Sequence, residues 1–240
     1  MDLIYELIFT VFPYLCLATF VVGHSYRYIT DRYAWNAHSS QILDKKSLRW
    51  GALLFHAGII MTFVGHAGGL LIPQTYYDLF GITSEMHLAI AHWMGEVVGI
   101  AAFVGCLLLL WRRITNHRVR AAGTINDLIT LGGLTLVVGL GVYNVFFGNH
   151  NVLNSVAPWI RGIVFFSPEP DLMRPVPLSF KIHVTAAWAL LGFSPFSRLV
   201  HIWSVPIFYF FRRRIVFRRK PRNAPGVEGF GRLESGGKEG

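Results

Sequence analysis

Four histidines stand where an imidazole is expensive to keep. His56 and His66 lie ten residues apart in "LFHAGIIMTFVGHAGGL" (54–70), which has no formal charge, and His183 and His201 lie eighteen apart in a second apolar stretch. Ionisable groups inside an apolar span face a cavity, a partner or a cofactor. A single one is also satisfied by a helix–helix hydrogen bond, but two on each of two segments point to paired ring-nitrogen donors. Such pairs suit haem iron with imidazole at both axial positions. With no open position, oxygen activation is excluded and one-electron transfer is the natural chemistry. No C-x-x-C-H occurs, and Cys16 and Cys106 lie in separate apolar runs. That excludes c-type haem attachment and a disulfide framework.

Hydropathy defines the elements that must carry these residues. The chain is 53% hydrophobic and only 15% charged, with mean hydropathy +0.45. Crossing a bilayer takes roughly 20 mostly apolar residues. Five runs meet this need, at about 3–23, 51–72, 87–111, 127–148 and 178–203. Backbone groups in lipid must find partners within their own segment, so each run is predicted helical. The expected fold is an all-α membrane protein, a five-transmembrane-helix bundle over residues 1–215, followed by a basic cytoplasmic tail, 216–240. Pro13 predicts a kink in the first span. The 149–177 segment is expected to rest its apolar middle on the outer membrane face, broken by prolines.

Basic residues orient the bundle. Arg27, Arg32, Lys45, Lys46 and Arg49 lie between spans one and two, and Arg112, Arg113, Arg118 and Arg120 between spans three and four. Nine more Lys or Arg follow from Arg212 onward, whereas the opposite side carries only Arg161 and Arg174. The positive-inside rule then places the N-terminus outside and the C-terminus in the cytoplasm. The +9 net charge therefore belongs to loops and tail that meet anionic lipid or an acidic partner, and nucleic acid is a poor explanation for it. Asp2 and Glu6 replace the basic n-region of a cleaved signal.

In this topology spans two and five run in opposite directions, which predicts crossed pairs: His56 with His201 on the inner side, His66 with His183 on the outer. Ten helical residues rise about 15 Å and eighteen about 27 Å, so tilt and a break near Pro195 must absorb the difference. Eighteen residues make five whole turns, which puts His183 and His201 on one face of a straight helix. Gly58, Gly65, Gly68 and Gly69 surround the span-two histidines; they suit close helix packing and a flat macrocycle equally. Arg198, three residues before His201, either meets a haem propionate or snorkels to the inner headgroups. His24, His38, His117 and His150 fall at span ends or in loops and are expected to be solvated or interfacial. Glu96 is the one clear intramembrane acid. That counts against the rival reading, a transporter or proton channel with a histidine relay.

At this point a family resemblance is apparent. "FVVGHSYRYITDRYAWNAHSSQILDKK", "LFHAGIIMTFVGHAGGLL", "WRR" and "PFSRLVHIWSVP" resemble the cytochrome b gamma subunit of membrane-bound respiratory nitrate reductase, over roughly residues 1–215. The resemblance implies two b haems with His56, His66, His183 and His201 as axial ligands. It further implies quinol oxidation near the outer haem and electron delivery inward. The implied partners are an iron–sulfur beta subunit and a molybdenum-containing alpha subunit, at the cytoplasmic membrane of a prokaryote. Nitrate reduction would belong to those partners. Family members offer a basic residue, often lysine, at the quinol pocket near the start of span three; here "SEMHLAIAH" offers His87. His87 suits a quinol hydroxyl because its charge changes near neutral pH, and an interfacial histidine is the alternative. Gly65 leaves room beside it. Another dihaem b anchor, feeding a different oxidoreductase, remains a second rival.

Overall fold

A computed structural model describes residues 3–30 and 45–203, which belong to one compact unit. Among these residues every regular element is helical. Helix α1 runs Leu3–Thr30 and includes a π turn at Leu7–Val11. Pro13 lacks an N–H, so the carbonyl of Phe9 loses its helical donor. The indole Nε1 of Trp159 donates to that carbonyl instead, at 2.8 Å. The expected irregularity at Pro13 thus takes the form of a π turn, with a tertiary donor taking the freed acceptor.

Helix α2, Lys45–His66, continues into a second π turn, Ala67–Leu71. A short α3, Gln74–Asp78, leads to α4, Ser84–Thr115. Thr83 caps α4 by accepting from the Met86 amide at 3.3 Å, which satisfies one of the orphan donors of a helix start. After α5, His117–Ala121, comes α6, Ile125–Phe147. The start of α6 is fixed by a reciprocal capping box between Thr124 and Asp127.

Among the described residues four helices are long and apolar enough to cross a membrane: Leu3–Thr30, Leu48–Leu71, Ser84–Thr115 and Ile125–Phe147. They carry outward-facing side chains such as Ile60, Phe63, Trp93 and Val97, as a lipid solvent permits. The chain is a multi-pass membrane protein.

The fifth run departs from expectation. Helix α8 covers only Leu178–Phe193, 16 residues, or about 24 Å against the roughly 30 Å of a bilayer core. It gives way to 3₁₀ turns at Ser194–Phe196 and Arg198–Ile202. Pro195 removes a helical donor and its ring opposes the carbonyl four residues earlier. That carbonyl, Leu191 O, accepts from the Ser194 hydroxyl at 2.7 Å. His183 and His201 are therefore not on one helix, and the expectation that they share a face of five whole turns is overturned.

Glycines set the packing. A Cβ on Gly105 of α4 would overlap the Phe55 backbone of α2, and one on Gly58 would sit 2.8 Å from the Ala102 Cα. Helices α2 and α4 can only lie backbone to backbone because these side chains are absent. Between α6 and α8, the 149–177 segment forms a 3₁₀ turn (Val152–Asn154), helix α7 (Val156–Val164) and another 3₁₀ turn (Pro170–Met173). Part of its apolar middle turns inward, while Val164, Phe165 and Phe166 stay exposed. Val156, Trp159, Ile163 and Met173 are buried with Phe9 of α1 in one core cluster. The physical reason is the indole bond to Phe9, which draws the apolar face of α7 onto the irregular turn of α1.

Residues 31–44 and 204–240 lie outside the described residues. With them lie His38, part of the first inner loop and the basic tail.

Candidate functional site

The four span histidines come together in the crossed arrangement. The rings of His56 and His201 have centroids 6.1 Å apart, and those of His66 and His183 are 6.4 Å apart. Each pair joins α2 to the last part of the described chain, which is what antiparallel spans require.

Every one of the four imidazoles is oriented by a backbone carbonyl at its Nδ1. His56 bonds Ala52 O at 2.8 Å and His66 bonds Thr62 O at 2.8 Å, each one helical turn back. His183 reaches across to Val137 O of α6 at 3.0 Å. His201 bonds Arg198 O at 2.6 Å. A carbonyl only accepts, so each Nδ1 carries the hydrogen and each Nε2 keeps a lone pair. This is the arrangement that fixes the tautomer and ring of a metal-binding histidine.

The donor set fits haem iron. Metal–imidazole bonds of about 2 Å, with each nitrogen about 1.1 Å from its ring centre, call for centroids about 6 Å apart. Among the described residues no group of three or more His, Cys, Asp or Glu is placed to hold a metal ion. Two nitrogens alone do not make the four-coordinate site of zinc, whereas a porphyrin contributes the other four donors of iron. At Gly141 on α6, a Cβ would lie 3.2 Å from His183 Cε1. That glycine makes room for the ring, and neighbouring Val137 supplies the acceptor. Sequence reading missed Gly141 because nothing local marks it; only its register against α8 does.

The outer side holds the remaining candidates. A Cβ at Gly65 would meet nothing within 4 Å, so this glycine borders open space, whereas one at Gly69 would lie 3.7 Å from His87 Nε2. His87 is buried, against the alternative of an interfacial side chain. Its Nδ1 lies 2.8 Å from Gln74 Oε1. Gln74 donates its Nε2 hydrogens to Asp78 Oδ1 and Ile82 O, both at 2.9 Å, so its Oε1 is the acceptor for His87. The Nε2 lone pair of His87 therefore faces the π turn that follows His66. The turn itself is tied down by Arg161, whose Nη1 donates to Leu70 O at 3.0 Å. His87 thus meets Gly69 rather than Gly65. The Tyr77 ring, 4.3 Å from that of His87, completes the contact.

On the inner side Arg198 is bound by a residue the sequence reading passed over. Asp127 accepts from Arg198 Nε at Oδ1 and from Arg198 Nη2 at Oδ2, the latter at 2.8 Å. Arg113 Nη1 lies 3.1 Å from the same Oδ2, and the Asp127 side chain is only 5% exposed. Glu96 pairs with His92 at 3.1 Å, while Asp127, in the first turn of α6, is the buried acid of this site. The signal for Asp127 was its place at the third helical position after Thr124. It read as a span end because a capping box needs no tertiary partner. His24 is likewise not solvated: it is buried, with Nε2 3.2 Å from Ser194 Oγ. Arg27 Nη1 donates to Pro195 O at 2.5 Å and Asn126 Nδ2 to Phe196 O at 2.7 Å. Polar groups of α1 and α6 thus hold the break before His201, because carbonyls freed by 3₁₀ turns need donors in an apolar surround.

Residues 5–220 match the family model described as nitrate reductase gamma subunit. The nitrate reductase gamma chain of Bacillus subtilis (strain 168) is 36% identical over 219 residues, covering 90% of this chain and 98% of that one. The respiratory nitrate reductase 2 gamma chain of Escherichia coli (strain K12) is 34% identical over 217 residues, covering 88% and 96%. The nitrate reductase-like protein NarX of Mycobacterium tuberculosis (strain ATCC 25618 / H37Rv) is 36% identical over 225 residues, 91% of this chain but 34% of its own length.

Proposed function

Because the chain belongs to the nitrate reductase gamma subunit family, we propose that it is the dihaem membrane subunit of a respiratory nitrate reductase. In this reading it spans the cytoplasmic membrane five times, N-terminus outside and C-terminus in the cytoplasm. It oxidises quinol near the outer face and delivers electrons inward to an iron–sulfur beta subunit and a molybdenum-containing alpha subunit. The nine Lys and Arg from Arg212 onward and those of the inner loops suit docking of these partners. The observation that carries the reading is the pair of imidazole pairs, each ring with Nδ1 held by a carbonyl.

His56 and His201 would hold the inner haem b, and His66 and His183 the outer one. Bound there, the iron supplies one-electron transfer without an open coordination position. The chain's residues do the rest. The four carbonyls hold each Nε2 in line, and Gly141 lets His183 approach. Arg113 and Arg198 place two cations around one carboxylate, a net positive cluster suited to a propionate, and this supports Arg198 as a propionate contact. On the outer side, the open face of Gly65 and the lone pair of His87 Nε2 support a quinol pocket. His87 takes a hydroxyl proton, and its hydrogen bond to Gln74 stabilises the charged ring that results. A quinol releases two protons with two electrons, so oxidation on the outer side with electrons moving inward separates charge across the membrane.

Purification in mild detergent tests this directly. The expected preparation shows the absorbance of two low-spin b haems and brings along an iron–sulfur protein and a molybdenum protein. A single haem, or full haem content after all four histidines are replaced, overturns the ligand assignment. Retention of partners of another kind would favour a dihaem anchor of a different oxidoreductase.

A further inference from the structure

We infer that Asp127 is a positioning residue for the inner histidine pair, fixing His201 through Arg198. The inference rests on the reading of His56 and His201 as ligands to one iron. It begins with a difference in helix type. His56 and His66 bond the carbonyl four residues back, as an α-helix allows. His201 bonds the carbonyl three residues back, Arg198 O, because Arg198–Ile202 is a 3₁₀ turn. Such turns have poorer hydrogen-bond geometry and seldom persist beyond 3–4 residues. The orientation of His201 is then only as fixed as the backbone of Arg198.

That backbone is held by its own side chain. Both oxygens of Asp127 accept from the Arg198 guanidinium, the two-point geometry that adds direction to charge-assisted bonding. The carboxylate is in turn tied to α6 by the Thr124 amide at 2.9 Å and faces Arg113 of α4. Three elements therefore converge on one buried acid, and the third carries the ligand. Ser197 adds a local cap, accepting from the Leu199 amide at 3.1 Å, whereas Asp127 links the ligand turn to both α4 and α6.

The charges make the inference specific. Asp127 offsets two guanidinium groups, Arg113 and Arg198. Removing its charge leaves the inner site more positive and favours the reduced state of an iron there. Removing the Arg198 charge does the opposite. Loss of either partner frees the Arg198 backbone and with it the His201 ring.

The test is a redox titration of the purified holo complex, followed optically, with the electron paramagnetic resonance of both ferric haems. In D127N the inner-haem midpoint should move up and its low-spin signal broaden or shift, while the outer haem keeps both properties. In R198Q the inner midpoint should move down with the same broadening, and D127E should return toward the parent protein. An inner haem unchanged in midpoint and signal in D127N, or shifts in R198Q of the same sign as in D127N, would overturn the inference. Should D127N fail to assemble, R198Q decides alone: an unaltered inner signal overturns the inference, and a selective downward shift upholds it. A parent protein with no haem between the pairs sinks the underlying ligand reading and is recognised before any variant is compared.

Discussion

The two histidine pairs use the same kind of side chain and are held in opposite ways. The outer pair sits on continuous helix on both sides, and His183 is oriented by helix packing: Val137 offers a carbonyl and Gly141 a gap. The inner pair has only one ligand on regular helix. Its other ligand lies beyond the Pro195 break and is held by a polar network from α1, α4 and α6. Packing tolerates no added volume but is indifferent to charge; the network has the opposite sensitivities. Equivalent chemistry therefore has different points of failure at the two ends.

Substitution of the ligands themselves should give the largest effect. His66→Ala is expected to remove the outer haem and leave the inner, halving haem per chain, and His201→Ala the reverse; pyridine haemochrome content with redox-resolved spectra measures both. Equal loss of both haems in either variant would erase the distinction between the ends.

Next in size is a rate. His87→Ala should slow haem reduction by quinol by about 10²-fold, the lower end of what a positioned proton acceptor contributes, with both haem spectra intact. Stopped-flow reduction with a quinol analogue reads this; an unchanged rate places the proton acceptor elsewhere.

Gly141→Val tests the packing side of the comparison. Its side chain enters the space of the His183 ring, and overpacking of this kind costs about 1–3 kcal/mol. The expected outcome is partial loss of the outer haem on mild heating with the inner haem spared. The converse, an inner haem lost first, would show that the two sites are not separately supported.

The smallest effect is a pH dependence at the outer rim. His150, beyond the end of α6, lies 2.7 Å from Ser155 Oγ, and burial lowers its pKa below 6.5. The unfolded chain then binds a proton more readily than the folded one, so this contribution to stability is present above pH 6.5 and is lost as pH falls through the lowered value. Amide protection factors across 151–156, corrected for the intrinsic pH dependence of exchange, should fall on acidification from pH 7 to 5 in the parent and much less in His150→Gln. An equal fall in both would assign the loosening to another group.

Much of this was legible beforehand. Apolar runs and basic loops marked the helical bundle because lipid demands self-satisfied backbone and topology follows Lys and Arg. The four histidines stood out because ionisable groups in such runs need a reason, and antiparallel spans alone predicted which would face which. The contribution of Asp127 was hidden because it stands at the edge of the fourth apolar run, with nothing local to mark its partners Arg113 and Arg198. His24 was read as solvated or interfacial since its partner, Ser194, is 170 residues away. Nothing local to α7 marks its partner, since the Phe9 carbonyl released by Pro13 lies 150 residues from Trp159.

The sequence by itself determined the class, the four span histidines and their pairing, all of which depend on local composition and on the direction of the spans. Tertiary structure decided how each ring is aimed. A hydrogen bond from His183 to Val137, or from Asp127 to Arg198, depends on the register between helices far apart in the chain. Register is set by where glycines let backbones touch and where a proline ends a helix early. Pattern along one segment carries no information about that contact until the segments are packed.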